Sequence, residues 1–143
     1  MYQIDKKPYG PHLTFSGYIP KDELDQWLVD SKELLPTLPD EFVVFVDMRD
    51  LELLAPESRP TMVEGQRYYR AQGMQRSVVI LKDKITKLQF IGIAKETGIY
   101  EWERYIDANA EPNWEQIALD WILNAVDPDE SQKKVMSVSQ DPA

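Results

Sequence analysis

The chain has 143 residues, 16 Lys and Arg against 25 Asp and Glu, a formal net charge of -9, one His and no Cys. That length suits a single domain able to bury a real core, and 43% hydrophobic with 29% charged residues is a globular composition rather than a disordered one. Without Cys there are no disulfides, thiol nucleophiles, iron–sulfur clusters or thiolate zinc sites. One His leaves no multi-histidine metal site, and the acidic balance speaks against nucleic acid, which needs clustered positive charge.

Tyr2-Gln3-Ile4 reads as a first short strand and residues 12–19 as a second, with Leu13 and Phe15 alternating against Thr14 and Ser16. Pro8-Tyr9-Gly10-Pro11 between them is dense in turn formers, so the pair reads as a hairpin. Pro20 suits the first turn of a helix, and Asp22 and Glu23 suit its positive end. Leu24, Trp27, Leu28 and Leu35 then make one apolar stripe, which Pro36 and Pro39 stop.

Residues 41–47 form the clearest strand, apolar without alternation through Val43-Val44-Phe45-Val46, which predicts burial on both faces. A loop is expected over residues 51–60, and a second helix from Pro60 to a Gly73 cap. Residues 77–82 read as another buried strand and residues 83–97 as a third helix closed by Gly98. Its expected apolar stripe is Ile85, Leu88, Ile91 and Lys95, widened by Phe90 and Ala94. Residues 103–107 read as a last short strand. Trp114, Ile117, Ala118, Trp121, Ile122 and Ala125 give the best amphipathic helix in the chain. The polar, aperiodic residues 127–143 read as a mobile tail behind a domain of residues 1–126.

Strands alternating with helices imply an α/β fold: a single-layer, mostly parallel sheet with an N-terminal β-hairpin and about four helices. No apolar run approaches the roughly 18 residues of a membrane span, and the N-terminus has no apolar stretch of secretory type. The expected location is the cytoplasm.

The run Val43-Val44-Phe45-Val46-Asp47-Met48-Arg49, then Lys87-Leu88-Gln89-Phe90 through Gly98-Ile99-Tyr100, then a closing Trp-bearing helix, resembles the SpoIIAA-like branch of the STAS families over roughly residues 1–126. These are small bacterial domains also likened to the CRAL-TRIO lipid-binding fold. The resemblance implies a non-enzymatic domain that binds a regulatory protein. It also implies a phosphorylation switch at the start of the second helix in anti-sigma factor antagonists, with the pattern Asp-Ser/Thr-x-Gly. Here Ala55-Pro56-Glu57-Ser58 stands in that neighbourhood and the pattern is absent.

Ser58 and Thr61 flank Pro60 and are the phospho-acceptor candidates, since a phosphate there would meet free backbone N–H groups. The plainer reading is a helix cap, in which case Ser58→Ala costs roughly 0.5–2 kcal/mol and Thr61→Ala much less. Asp47, Arg49 and Asp50 fall at the carboxyl end of a buried strand, where open α/β sheets bind ligands. Arg49 could meet an anion with Asp47 holding it, or the two could simply pair. Lys82 ends the next strand on the same edge and joins them.

Residues 61–98 hold seven bases (Arg67, Arg70, Arg76, Lys82, Lys84, Lys87, Lys95) and three acids (Glu64, Asp83, Glu96), a local charge of +4 against -13 elsewhere. Such asymmetry suits an acidic partner or surface, or else a solvated face. Met62 and Phe90, with Ile93, are the candidate walls of an apolar cleft beside the sheet. His12 lacks a recognisable nucleophile motif, and no phosphate-binding loop or dinucleotide glycine pattern occurs.

The expected function is therefore binding without catalysis and without a cofactor. The first candidate partner is a regulatory protein, and a second copy of this chain is another. The alternative is a carrier or sensor of a small apolar or anionic molecule.

Overall fold

The computed structural model describes residues 1–130. In chain order it contains β1 (Tyr2–Lys7), β2 (Gly10–Gly17), α1 (Lys21–Leu34), β3 (Phe42–Leu51), α2 (Arg59–Gln72), β4 (Met74–Leu81), α3 (Lys84–Thr97), β5 (Glu103–Asp107) and α4 (Trp114–Asn124). The five strands form one sheet in the order β1-β2-β3-β4-β5. Only the β1–β2 pair is antiparallel.

Each parallel crossover carries a helix and each advances the sheet in the same direction. Connections of one hand then place α1, α2 and α3 on one face. The two faces of β3 show it: Val44, Val46 and Met48 pack into the core beneath those helices, while Val43 and Phe45 pack with Ala118, Trp121 and Ile122 of α4. The alternation-free apolar run in β3 is thus buried on both sides, as its sequence requires.

The turn residues are economical. Pro8 and Tyr9 alone connect β1 to β2, because Lys7 already pairs with Gly10. Gly73 closes α2 at φ 120°, and a Cβ there would stand 1.8 Å from the Asp40 carbonyl oxygen, so no other residue fits the turn into β4. Asp83 caps α3 by accepting from the Ile85 amide at 2.9 Å.

Beyond shifts of a few residues at the ends of β1, β2 and β4, two elements differ from the sequence expectation. β3 runs to Leu51 rather than ending at Asp47, because β2 continues alongside it. Asp47 pairs with Thr14 and Asp50 with Ser16, so Phe15 alone faces two residues of β3, a bulge. The stripe of α3 is also rotated: its buried residues are Thr86, Phe90, Ile93 and Ala94, while Ile85 and Leu88 point to solvent.

The start of the expected tail is anchored. Arg104 of β5 donates from Nε and Nη2 to both carboxylate oxygens of Asp127, at 2.9 and 3.0 Å. The guanidinium also lies 4.4 Å from the Trp121 ring centroid. Arg76 of β4 donates to the carbonyls of Trp121 and Ile122 at 3.0 and 2.9 Å, satisfying the C-terminal end of α4. The rest of the expected tail, 131–143, lies outside the described residues. No helix among the described residues is long and apolar enough to cross a membrane.

Candidate functional site

Asp47 and Arg49 lie two apart on β3, on the face that carries α4. Arg49 donates from Nε and Nη2 to the two carboxylate oxygens of Asp47 at 3.0 and 2.9 Å, and from its amide to Asp47 at 3.1 Å. Its guanidinium stacks 4.4 Å from the Trp114 ring centroid. Burial pushes the Asp47 carboxyl up, but the hydrogen bonds from Arg49 outweigh it and hold the group below the usual carboxylate range. The planar fork of Arg49 is therefore committed to its neighbour. Asp50 and Lys82 are exposed at the same end of the sheet.

The candidates at the start of α2 are both buried. Ser58 has no exposed surface, caps no backbone amide, and its hydroxyl finds no partner among the described residues. Thr61 is 6% exposed and donates to Asp25 of α1 at 2.6 Å, tying the two helices together. In this conformation neither hydroxyl is presented to a kinase.

Met62 and Phe90 do not wall an open cleft. They line an interior cavity of about 40 Å³ between the sheet and the three helices. That is room for roughly three waters at about 10–15 Å³ each, and a drug-sized ligand needs about 300 Å³ or more. Among the described residues the one charged side chain in its wall is Glu103, 4% exposed at the start of β5. Glu103 accepts from the Ser77 hydroxyl at 3.0 Å and from the Tyr105 hydroxyl at 2.6 Å. Burial raises its carboxyl to about 7 against those two hydrogen bonds. Sequence reading missed Glu103, because an acid at the first position of a short strand ordinarily sits in solvent.

The second feature the sequence misplaced is the outward side of α3. Ile85 is 62% exposed and Leu88 67%. Leu88 and Ile91 line a groove of about 360 Å³ with Lys82, Lys84 and Lys87, at the end of the sheet where β4 and β5 finish; Asp83 and Asp107 share the wall, and each accepts local hydrogen bonds, from Ile85 and Thr86 and from Asn109. Among the described residues no acidic side chain pairs with any of these three lysines. The loop before α2 is fastened to this helix, because Gln89 donates to the Leu54 carbonyl at 2.7 Å and accepts from its amide at 3.0 Å. Among the described residues no group of His, Asp and Glu is placed to hold a metal ion.

The chain matches no protein-family model and no curated protein.

Proposed function

We propose that the chain is a non-catalytic binding domain that docks an acidic, amphipathic segment of a regulatory protein on the outer side of α3. The observation that carries this reading is the exposure of Ile85 and Leu88 among Lys82, Lys84 and Lys87. Apolar side chains hemmed by unpaired cations mark interaction surfaces rather than solvated faces. The acidic remainder of the chain steers an acidic partner away from other faces and toward this one. The resemblance to the SpoIIAA-like STAS domains supports binding as the activity; the exposure of Ile85 and Leu88, rather than the resemblance, moves the expected contact from the α2 start to α3.

Site-specific photo-crosslinking in cells tests it. A photoreactive amino acid replaces Leu88, and a control replaces Glu33 on the exposed side of α1. The expected result is one crosslinked protein from position 88, joined through an acidic segment and lost when Lys84→Glu and Lys87→Glu are added. Equal crosslinking at both positions overturns the proposal.

A small anionic amphiphile is the second reading, favoured by the three lysines around the groove. Native mass spectrometry separates the two, because extra mass lost on denaturation and absent from the lysine variants supports the small molecule and overturns the protein partner.

A further inference from the structure

Among the described residues no cation pairs with the Glu103 carboxyl; the adjacent Arg104 guanidinium donates instead to the Glu103 backbone carbonyl at 3.0 Å. The carboxyl is buried, it touches two hydroxyl groups, and no Lys, Arg or His lines the cavity it faces. A buried acid without a counter-charge is costly to the folded state. Gln would keep an acceptor for one of these hydroxyls and offer its amide N–H to the other without that cost, so hydrogen bonding alone does not account for an ionisable group here.

Two other polar wall groups have acceptor capacity to spare. The Ser77 hydroxyl is spent as a donor on Glu103 and keeps acceptor capacity. The Gln66 side-chain oxygen takes the Thr97 hydroxyl at 2.8 Å and has a second lone pair. Each carboxylate oxygen of Glu103 likewise keeps a free acceptor site. Around Glu103 and Ser77 the wall thus asks for a donor with positive charge; the Trp27 indole N–H, a donor with no partner among the described residues, gains nothing from such a ligand.

The remaining wall is apolar and aromatic, with Phe15, Trp27, Tyr69 and Phe90. Aromatic surroundings tolerate a cation better than aliphatic ones. Met48, Met62 and Met74 complete it, and their unbranched chains let a cavity adjust to an occupant. Every lining residue is buried, so an ion pair formed inside is shielded from bulk water, where such pairs are weakest.

We propose that this cavity binds a small protonated primary amine, its ammonium group on Glu103 and its short alkyl chain against the methionine and aromatic wall. The size of the cavity sets the alkyl chain at about one to three carbons, since it holds only a few water-sized volumes. The same charge logic rejects an anion, so this site is chemically opposite to the lysine groove on α3.

The test is a methyl NMR titration of the full chain with methylammonium, ethylammonium and n-propylammonium chloride. Potassium chloride at equal ionic strength and n-propanol are the controls. The expected result is saturable shifts at the methyl groups of Val44, Val79 and Ile99, all in the cavity wall. Glu103→Gln should weaken them at least tenfold, and n-propanol should bind at least tenfold more weakly than n-propylammonium. Val79→Ile, which narrows the cavity and leaves Glu103 in place, should weaken n-propylammonium more than methylammonium and so remains informative if Glu103→Gln does not fold. Shifts confined to surface carboxylates, shifts of equal strength in Glu103→Gln, or no saturable shift in the wild type would each overturn the proposal.

Discussion

Ser77 and Glu103 stand directly opposite each other on the parallel strands β4 and β5, and the serine hydroxyl donates to the glutamate carboxyl at 3.0 Å. Both point away from α4, into the core beneath α1, α2 and α3. The cross-strand register therefore decides that an acid at the edge of the sequence pattern ends in the interior. Tyr105, two residues on and on the same face, supplies the second hydrogen bond at 2.6 Å.

Glu103→Gln should remove a pH-dependent loss of stability. The folded carboxyl sits at about 7, above the 4.5 of an ordinary glutamate. The native state therefore keeps this proton longer than the unfolded chain. The contribution is fully present below about pH 4.5 and is lost as pH rises through 7, a difference of roughly 3 kcal/mol. Urea unfolding of both proteins from pH 4.5 to 8 should show the wild type losing about that much more than the variant. Parallel curves would show that the folded interior leaves the Glu103 carboxyl at its ordinary value.

Ser58 and Thr61 should rank opposite to the order their sequence suggests. The Ser58 hydroxyl is buried without a partner, so Ser58→Ala removes an unsatisfied group and is expected to be neutral or stabilising by up to about 1 kcal/mol. Thr61→Val breaks the bond to Asp25 and should cost about 1 kcal/mol. Denaturant midpoints of the two variants decide it; a costly Ser58→Ala beside a silent Thr61→Val would restore the capping reading.

Asp47→Asn should cost about 1–2 kcal/mol near neutral pH, because it weakens a two-pronged, charge-assisted contact that is only partly screened by solvent. Arg49 holds the Asp47 carboxyl below its ordinary value, so this stability is present above pH 3.8 and is lost as pH falls through the lowered folded value. The gap between wild type and variant should close in acid. A gap that stays constant to low pH would place the effect in packing against Trp114 instead.

What the sequence made legible follows from how local each signal is. The all-apolar run of β3, the Gly73 and Gly98 caps and the Trp121 stripe of α4 are set by neighbours within a few residues and stand where expected, except that Ala125, the last residue of that stripe, is the exposed left-handed cap of the helix. The α3 stripe was not legible, because Ile85, Leu88, Phe90, Ile91, Ile93 and Ala94 surround the helix and a period of 3.6 selects no side. The buried side contains Thr86, whose hydroxyl is satisfied by Asp83 at 3.2 Å, so its polarity hid the true stripe. The extension of β3 past Asp47 depends on its pairing with β2, a contact between distant segments that no local pattern carries. Glu103 was invisible for the same reason, because it is buried among residues distant in sequence, with Met62, Gln66 and Tyr69 of α2 and Phe90 of α3 in the same cavity wall.

Two glycines inside helices should respond to the same substitution with opposite sign. Gly65 of α2 lies against Trp27 of α1, and a Cβ there would fall 2.4 Å from the indole ring. Trp27 cannot swing away easily: it stacks on Tyr69 at 5.6 Å and meets Phe15 edge-on at 5.5 Å. Gly65→Ala should therefore cost about 1–3 kcal/mol through overpacking, despite the better helix propensity of alanine. Gly92 of α3 has open space at the same position, with the nearest atom, Arg59 Nη2, 4.0 Å away. Gly92→Ala then gains the propensity alone, about 0.5–1 kcal/mol. Thermal melts of the two variants check both at once. Destabilisation by Gly92→Ala, or tolerance of Gly65→Ala, would mean that α1, α2 and α3 pack on the sheet differently from the arrangement that encloses Glu103.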